Sequence, residues 1–506
     1  MNKKYLKLFI IVSFALLMNS YTDSFKSYKD YKIDSKILEL WSQSKDIIKK
    51  SIEMLDSSIV ELYFISTDTY NILNYGFRKK NYPLVDEILQ FYIQTLPYLK
   101  NQRDYIIYDI NESEKRSEKT LQEPILIWTK NNGDEETISS SQFLFTLSFA
   151  FNQISKISTN DRTIIMNQFI DSFSPVLSSH YRRWIIGVKE IEKTDILGSF
   201  SRRGWGCKDR YGEYIYTRVL TQFIKELGAN EYHGATYCNV IADPSLLIIS
   251  GLGHYLGGFY NDKKLYEIKN REELELFFIT SIKIISQKFK IDKSINFDSQ
   301  RVLTLSFQNG AWFGHPDYDY SGYIGSSFPS IKDKNSTKNV GIDVAHGSRV
   351  IYLLEMLIEN QKKFNIEFPT QEQMQMFTNG FIYNVFNRDF NRPLFKNYMN
   401  GSNGWFRVNY DSREGFGYAP FKIGSEGAIL GGYPRLGKYS KELENIFCII
   451  FEKLNSTKEE DIDFINEFYE KTVWSNREEI KVYNFYDKKL NPKSSLFLLN
   501  LYSSMI

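Results

Sequence analysis

Around His315 the chain reads Asn-Gly-Ala-Trp-Phe-Gly-His-Pro-Asp-Tyr-Asp-Tyr-Ser-Gly-Tyr-Ile-Gly, with one imidazole, two carboxylates and three phenols between glycine-bounded turns. Polar groups at this density are costly to bury and do little as scaffolding, so the loop is a candidate site. A second stretch reads Gly-Ile-Asp343-Val-Ala-His346-Gly-Ser-Arg349. A spacing of three puts Asp343 and His346 on one face at the start of a helix. Asp343 is equally suited to cap that helix.

Three chemistries use such residues. In β-elimination on a uronate-containing polysaccharide, a neutral His or Tyr removes the proton α to the carboxylate. A Tyr then protonates the leaving oxygen, and Asn or Arg offsets the charge that develops. His315, Tyr323, Asn309 and Arg349 supply those types. Glycoside hydrolysis needs two carboxylates across the scissile bond. Asp317 would pair with Asp343, Asp243 or Glu414. A metal centre could draw on His315, Asp317, Asp343 and His346. That spacing is not diagnostic, and no cofactor is expected; a divalent metal near His315, Asp317 and His346 is the lesser alternative.

Other catalytic signatures are missing. The sequence has no G-x-S-x-G, no Walker A, no H-E-x-x-H and no dinucleotide-binding glycine fingerprint. His254, in Gly-Leu-Gly-His-Tyr-Leu-Gly-Gly, reads as a packed helix residue and His180 as a helix-end residue, while His233 lies in a loop with too many roles open. Lys and Arg number 63 against 61 Asp and Glu. A dominant basic surface for nucleic acid is therefore excluded. Hydrophobic residues at 42% and a mean hydropathy of −0.37 exclude a polytopic membrane protein and a disordered chain.

The first residues, MNKKYLKLFIIVSFALLMNSYTDS, combine Lys3, Lys4 and Lys7 with an apolar run from Leu8 to Met18. About 20 apolar residues are needed to cross a bilayer, so the run suits a signal-peptide core. Residues 1–22 are expected to be a signal peptide of an exported protein, periplasmic, secreted or on the cell surface. An anchor formed by residues 8–18 is the alternative. Removing 1–22 takes away three Lys and no acid, leaving a charge of −1. The three Cys do not form a disulfide scaffold; one bridge between Cys207 and Cys238 stands beside three buried thiols as a reading.

The rest of the chain must position these residues, and most of it reads as helix. Apolar positions recur at three- and four-residue spacing over 35–62, 82–98, 141–157, 162–177, 213–227, 243–259, 271–290, 343–362, 370–387 and 440–454. Alternation at period two is confined to 480–486. Three loops repeat a motif: Gly204-Trp205, Asn309-Gly310-Ala311-Trp312 and Asn403-Gly404-Trp405, with the Trp residues 107 and 93 apart. Each interval has room for about two helical hairpins. The expected fold is mainly α with little β, an α/α toroid, complete or incomplete, built of helical hairpins. Residues 23–119 would form an N-terminal helical region, 120–455 the toroid and 456–506 a C-terminal extension packed on it. Trp205, Trp312 and Trp405 would then lie over the mouth as sugar platforms, with Arg407 among the binding residues.

The run from Asn309-Gly310-Ala311-Trp312 through His315 to Tyr-Ser-Gly-Tyr323-Ile-Gly325 resembles the catalytic loop of the chondroitin AC and hyaluronate lyases, which are α/α-toroid enzymes. The resemblance covers about 17 residues. It implies that His315 abstracts the proton and that Tyr323 is the catalytic tyrosine. Gly228-Ala229-Asn230 is similar to that family's Gly-Ala-Asn, which would make Asn230 the carboxylate-neutralising residue. Gly347-Ser348-Arg349 is similar to its Arg-bearing segment. The expectation is thus a carbohydrate-active enzyme, first a polysaccharide lyase acting as a monomer on a uronate-containing poly- or oligosaccharide. A glycoside hydrolase on the same scaffold is the next reading, and a non-catalytic glycan-binding or surface protein the third. Neither nucleic acid nor stable membrane insertion beyond the leader is expected.

Overall fold

Apolar residues spaced for helices lead to a mainly helical chain, 60% helix and 8% strand, in the computed structural model. The structure describes residues 25–102, 106–107, 125–129, 135–189, 206–208, 211–213, 219–229, 236–410, 413–487 and 490–506. Its long helices are α1 (Asp34–Glu53), α2 (Glu61–Arg78), α3 (Tyr82–Ile93), α4 (Thr137–Ile154), α5 (Ile164–Ile185), α6 (Leu220–Ala229), α7 (Asp243–Asn261), α8 (Arg271–Ser286), α9 (Val344–Phe364), α10 (Gln371–Gly380), α11 (Lys422–Leu430), α12 (Lys441–Leu454), α13 (Glu459–Ile465) and α14 (Pro492–Met505).

The centre is built on α4, α7 and α9. The glycines of α7 explain how three helices come so close. A Cβ on Gly251 would lie 3.2 Å from the Phe145 Cα of α4, and one on Gly258 would lie 3.4 Å from the Asn152 Cα. Gly253 and Gly257 turn instead toward Met356 and Asn360 of α9. Between them His254 is buried, its Nδ1 3.0 Å from the Asn152 amide. α7 is apolar enough to span a membrane, but 89% of that window is buried inside the protein, so it is a core helix.

The N-terminal helices are closed by the C-terminal one. Asn71 of α2 donates to Asn500 of α14 at 2.7 Å, and Ser495 of α14 donates to Gln43 of α1 at 3.0 Å. Ser66 of α2 donates to the Gln142 carbonyl of α4 at 2.9 Å. One apolar core runs from Ile33 to Met505.

Strands occur as two-stranded antiparallel pairs: β1 (Lys100–Gln102) with β3 (Ile125–Ile127), β2 (Ile106–Ile107) with β4 (Val188–Lys189), β5 (Phe289–Ile295) with β6 (Arg301–Phe307), and β7 (Lys471–Ser475) with β8 (Glu478–Lys481). The expected helix over 271–290 ends at Ser286, and β5 begins three residues later. The turn after β5 explains the change: the Asn296 side chain accepts from the Asp298 and Gln300 amides and closes a hairpin. The strand expected at 480–486 stops at Lys481.

Candidate active site

Asp343 precedes α9, and its backbone is fixed before its side chain acts. The Val344 N–H donates to Asn397 at 2.9 Å and the Met399 N–H to Ile342 at 3.0 Å, which pins the helix start to the neighbouring chain. The Asp343 carboxylate is fully buried. It accepts from the His346 backbone N–H at 3.1 Å, as a helix cap does, and from His346 Nδ1 at 2.7 Å. Tyr318 donates to it at 3.3 Å. Burial pushes this carboxyl up, but the charge and hydrogen bonds of His346 outweigh burial and hold it below its ordinary value. Sharing Nδ1–H with Asp343 leaves the lone pair of a neutral His346 on Nε2.

Nε2 faces Asp243 of α7, whose Oδ2 is 3.7 Å away; both side chains are about one-fifth exposed. One turn further along α9, Arg349 donates to the Ala345 carbonyl at 2.9 Å, to Ser348 at 2.8 Å and to the Tyr63 hydroxyl of α2. Helices α2, α7 and α9 thus each contribute to one partly open charged cluster. Asp343 and Asp243 lie at opposite ring nitrogens and do not converge on one point. Among the described residues no group of three or more His, Cys, Asp or Glu is gathered to hold a metal ion.

Two of the repeat loops form the wall beside this cluster. The Arg407 N–H donates to the Asp317 carbonyl at 2.8 Å, and its Nε to the Asp317 carboxylate at 3.0 Å. The Trp405 N–H donates to the Tyr323 carbonyl at 3.1 Å. Phe406 then sits between Tyr318, at 5.3 Å between ring centroids, and His346, at 6.3 Å. The repeated motif therefore has a structural consequence: it pairs the two loops backbone to backbone.

That pairing corrects several expectations. Trp405 is fully buried, with its indole N–H donating to Gly325 at 2.8 Å, and Trp312 is buried in a stack with Tyr318 at 5.0 Å. Neither offers an open face to a sugar; both hold the loops. Asn309 is buried, and its side-chain amide N–H donates to the Ile241 carbonyl at 3.3 Å. His315 Nδ1 accepts from the Asp317 N–H at 3.2 Å, so a neutral ring carries its proton on Nε2 and has no lone pair there. Tyr323 packs in an aromatic cluster with Trp405 and Trp474, whereas His315 packs against Trp312, Tyr237 and Tyr318. His315 and Tyr323 thus pack in different aromatic groups. Glu414 is exposed and paired with Arg477 on the surface. Trp205, Asn230, His233 and the leader lie outside the described residues.

Three nearby residues were not singled out from the sequence. Tyr63 meets Arg349. Tyr418 has its hydroxyl pushed up by burial, with Glu426 and Asp343 raising it further and Arg407 opposing them. Glu426 of α11 accepts from Tyr483 at 2.6 Å, and burial pushes its carboxyl up. The available signal was one Glu among small and apolar residues in Lys-Ile-Gly-Ser-Glu-Gly-Ala-Ile-Leu. Cys207 and Cys238 form a disulfide, and Tyr237 beside it meets the His315 ring edge-on at 5.2 Å. Comparison with protein-family models, curated proteins and solved structures finds no match to this chain.

Proposed function

We propose that the chain is an exported carbohydrate-active enzyme on an α/α-toroid scaffold, and that it cleaves a uronate-containing glycan by β-elimination. The observation that carries this reading is the 2.7 Å bond between Asp343 and His346 Nδ1. It orients the ring and leaves Nε2 as a base on the partly open side. The base is thus His346 rather than His315. His346 takes the proton α to the carboxylate, the freed electron pair forms the new carbon–carbon double bond, and the bond to the leaving oxygen breaks. Tyr63, whose hydroxyl oxygen accepts from Arg349, gives its proton to that oxygen, and Arg349 stabilises the phenolate left behind. Asp243 and Asp343 flank the imidazolium. Arg407, one-quarter exposed, is placed to offset carboxylate charge. The Cys207–Cys238 disulfide supports export, since such bonds persist in oxidising compartments.

One observation favours a hydrolase as second reading. Glu426 is held toward its protonated form and Asp343 toward its ionised form, the kind of split that an acid and a base require. A panel of uronate polymers and neutral glycans separates the two. Ultraviolet-absorbing unsaturated products from a uronate polymer are expected. Reducing ends released from neutral glycans without that absorbance would replace the lyase with the hydrolase, and binding without cleavage would leave a glycan-binding protein.

A further inference from the structure

A cavity of about 820 Å³ opens between the β5–β6 hairpin, the end of α10 and the segments 308–311 and 339–342. Its volume is within the ~300–1,000 Å³ of small-ligand clefts. It shares Gly341 and Ile342 with the approach to Asp343, yet none of the charged side chains around His346 lines it. Its polar lining is mostly amide: Gln308, Asn309 and Asn339 stand there with Lys288 and Lys290. Asn309 carries the sharpest signal. Its Nδ2 is spent on the Ile241 carbonyl, while its Oδ1 is buried and has no hydrogen-bond partner among the described residues. A buried acceptor left without a donor is unfavourable, and a hydroxyl is the kind of donor that would satisfy it.

We infer that this cavity is a second glycan site, which holds an oligosaccharide carrying a uronate without cleaving it. Side-chain amides both donate and accept, as sugar hydroxyls do. Phe377 and Phe381 supply the apolar wall that a sugar ring needs, and Lys288 and Lys290 supply cations for its carboxylate. Asp292 is the acid that accompanies them, and it accepts from Ser306. The choice of a uronate rests on the proposed function; the amide-lined cavity and the orphaned Asn309 oxygen do not.

The test is calorimetric binding of a saturated galacturonate hexasaccharide and of cellohexaose to the full chain carrying His346→Ala, so that cleavage does not intervene. Lys290→Ala and Gln308→Ala, both at exposed positions, are added singly to that background. The uronate oligomer is expected to bind, and Lys290→Ala to weaken it at least tenfold, with Gln308→Ala weakening both ligands. Absence of binding by either oligomer, or affinities unchanged by both substitutions, overturns the inference. Tight binding of cellohexaose with no effect of Lys290→Ala overturns the uronate specificity. Cleavage by the unaltered protein with affinities unmoved in the cavity variants removes this site and leaves the His346 reading intact. Cavity binding without cleavage of any polymer does the reverse.

Discussion

Asp343 holds His346 twice, by its carboxylate to Nδ1 at 2.7 Å and by the same group to the backbone N–H at 3.1 Å. One side chain thereby starts α9 and orients the imidazole that the helix presents. The two roles make separable demands, because a cap needs an acceptor for the backbone N–H whereas the ring needs an acceptor at Nδ1 that fixes its orientation and tautomer.

His346→Ala is therefore expected to lower turnover by about 10²- to 10⁴-fold with little change in stability, because its side chain is partly exposed. Asp343→Asn keeps a capping oxygen but loses the charge, and is expected to lower turnover while costing about 1 kcal/mol of stability. Steady-state rates on a responsive uronate polymer and urea melts of both variants check this. A turnover unchanged in His346→Ala but lost in His315→Ala would return the base to His315.

Gly404 sits where the two Trp loops meet. A Cβ at this position would lie 1.9 Å from the Ser321 carbonyl oxygen, and a backbone atom has no rotamer by which to escape. Gly404→Ala should part the loops, release the Trp405 indole from Gly325 and cost at least ~2 kcal/mol. Denaturant melts with Trp fluorescence would register both the loss and the exposure. Wild-type stability in this variant would mean that the loops are not packed in this way.

The helical class was legible because most helices have one wet face, and periodicity over 243–259, 343–362 and 440–454 lies close to α7, α9 and α12. Helices α2, α11 and α14 were not, for a physical reason. α14 is buried on nearly every side from Ser494 to Met505, so no polar face marks its turns. At the site, the i, i+3 spacing brought Asp343 and His346 together as expected. The aromatic loops were legible as a repeat but not as a pairing, since the Trp405 indole is held by Gly325, 80 residues away. Tyr63 and Glu426 come from distant helices for the same reason.

Acid should weaken the fold before it reaches the carboxylates. His180 is buried, its Nδ1 2.8 Å from the Val176 carbonyl; burial and then the Arg183 charge hold its pKa down to about 4, with Glu135 opposing. A depressed histidine contributes stability above its ordinary value of about 6.5. As pH falls from about 6.5 toward 4 the unfolded chain takes up the proton first, and about 3 kcal/mol is lost. Urea midpoints at pH 7 and pH 5 should show this slope, and His180→Leu should flatten it. A slope that persists unchanged in the variant would assign it to other groups.

The Cys207–Cys238 bond closes a loop with a sequence separation of 31, and it ties Cys207, just after the first repeat motif, to the turn whose Tyr237 touches His315. Closing a loop of that length in the unfolded chain is worth about 3–4 kcal/mol. The paired substitution Cys207→Ser and Cys238→Ser should lower the melting temperature by several degrees, and a reductant should do the same to the unaltered protein. Cys448 is the third Cys; it is not in a disulfide and is buried in the core. Thiol titration of the folded protein without reductant should therefore find no reactive group. Two or more groups titrating under those conditions would mean that the bridge is absent and that the His315 loop is held by packing alone.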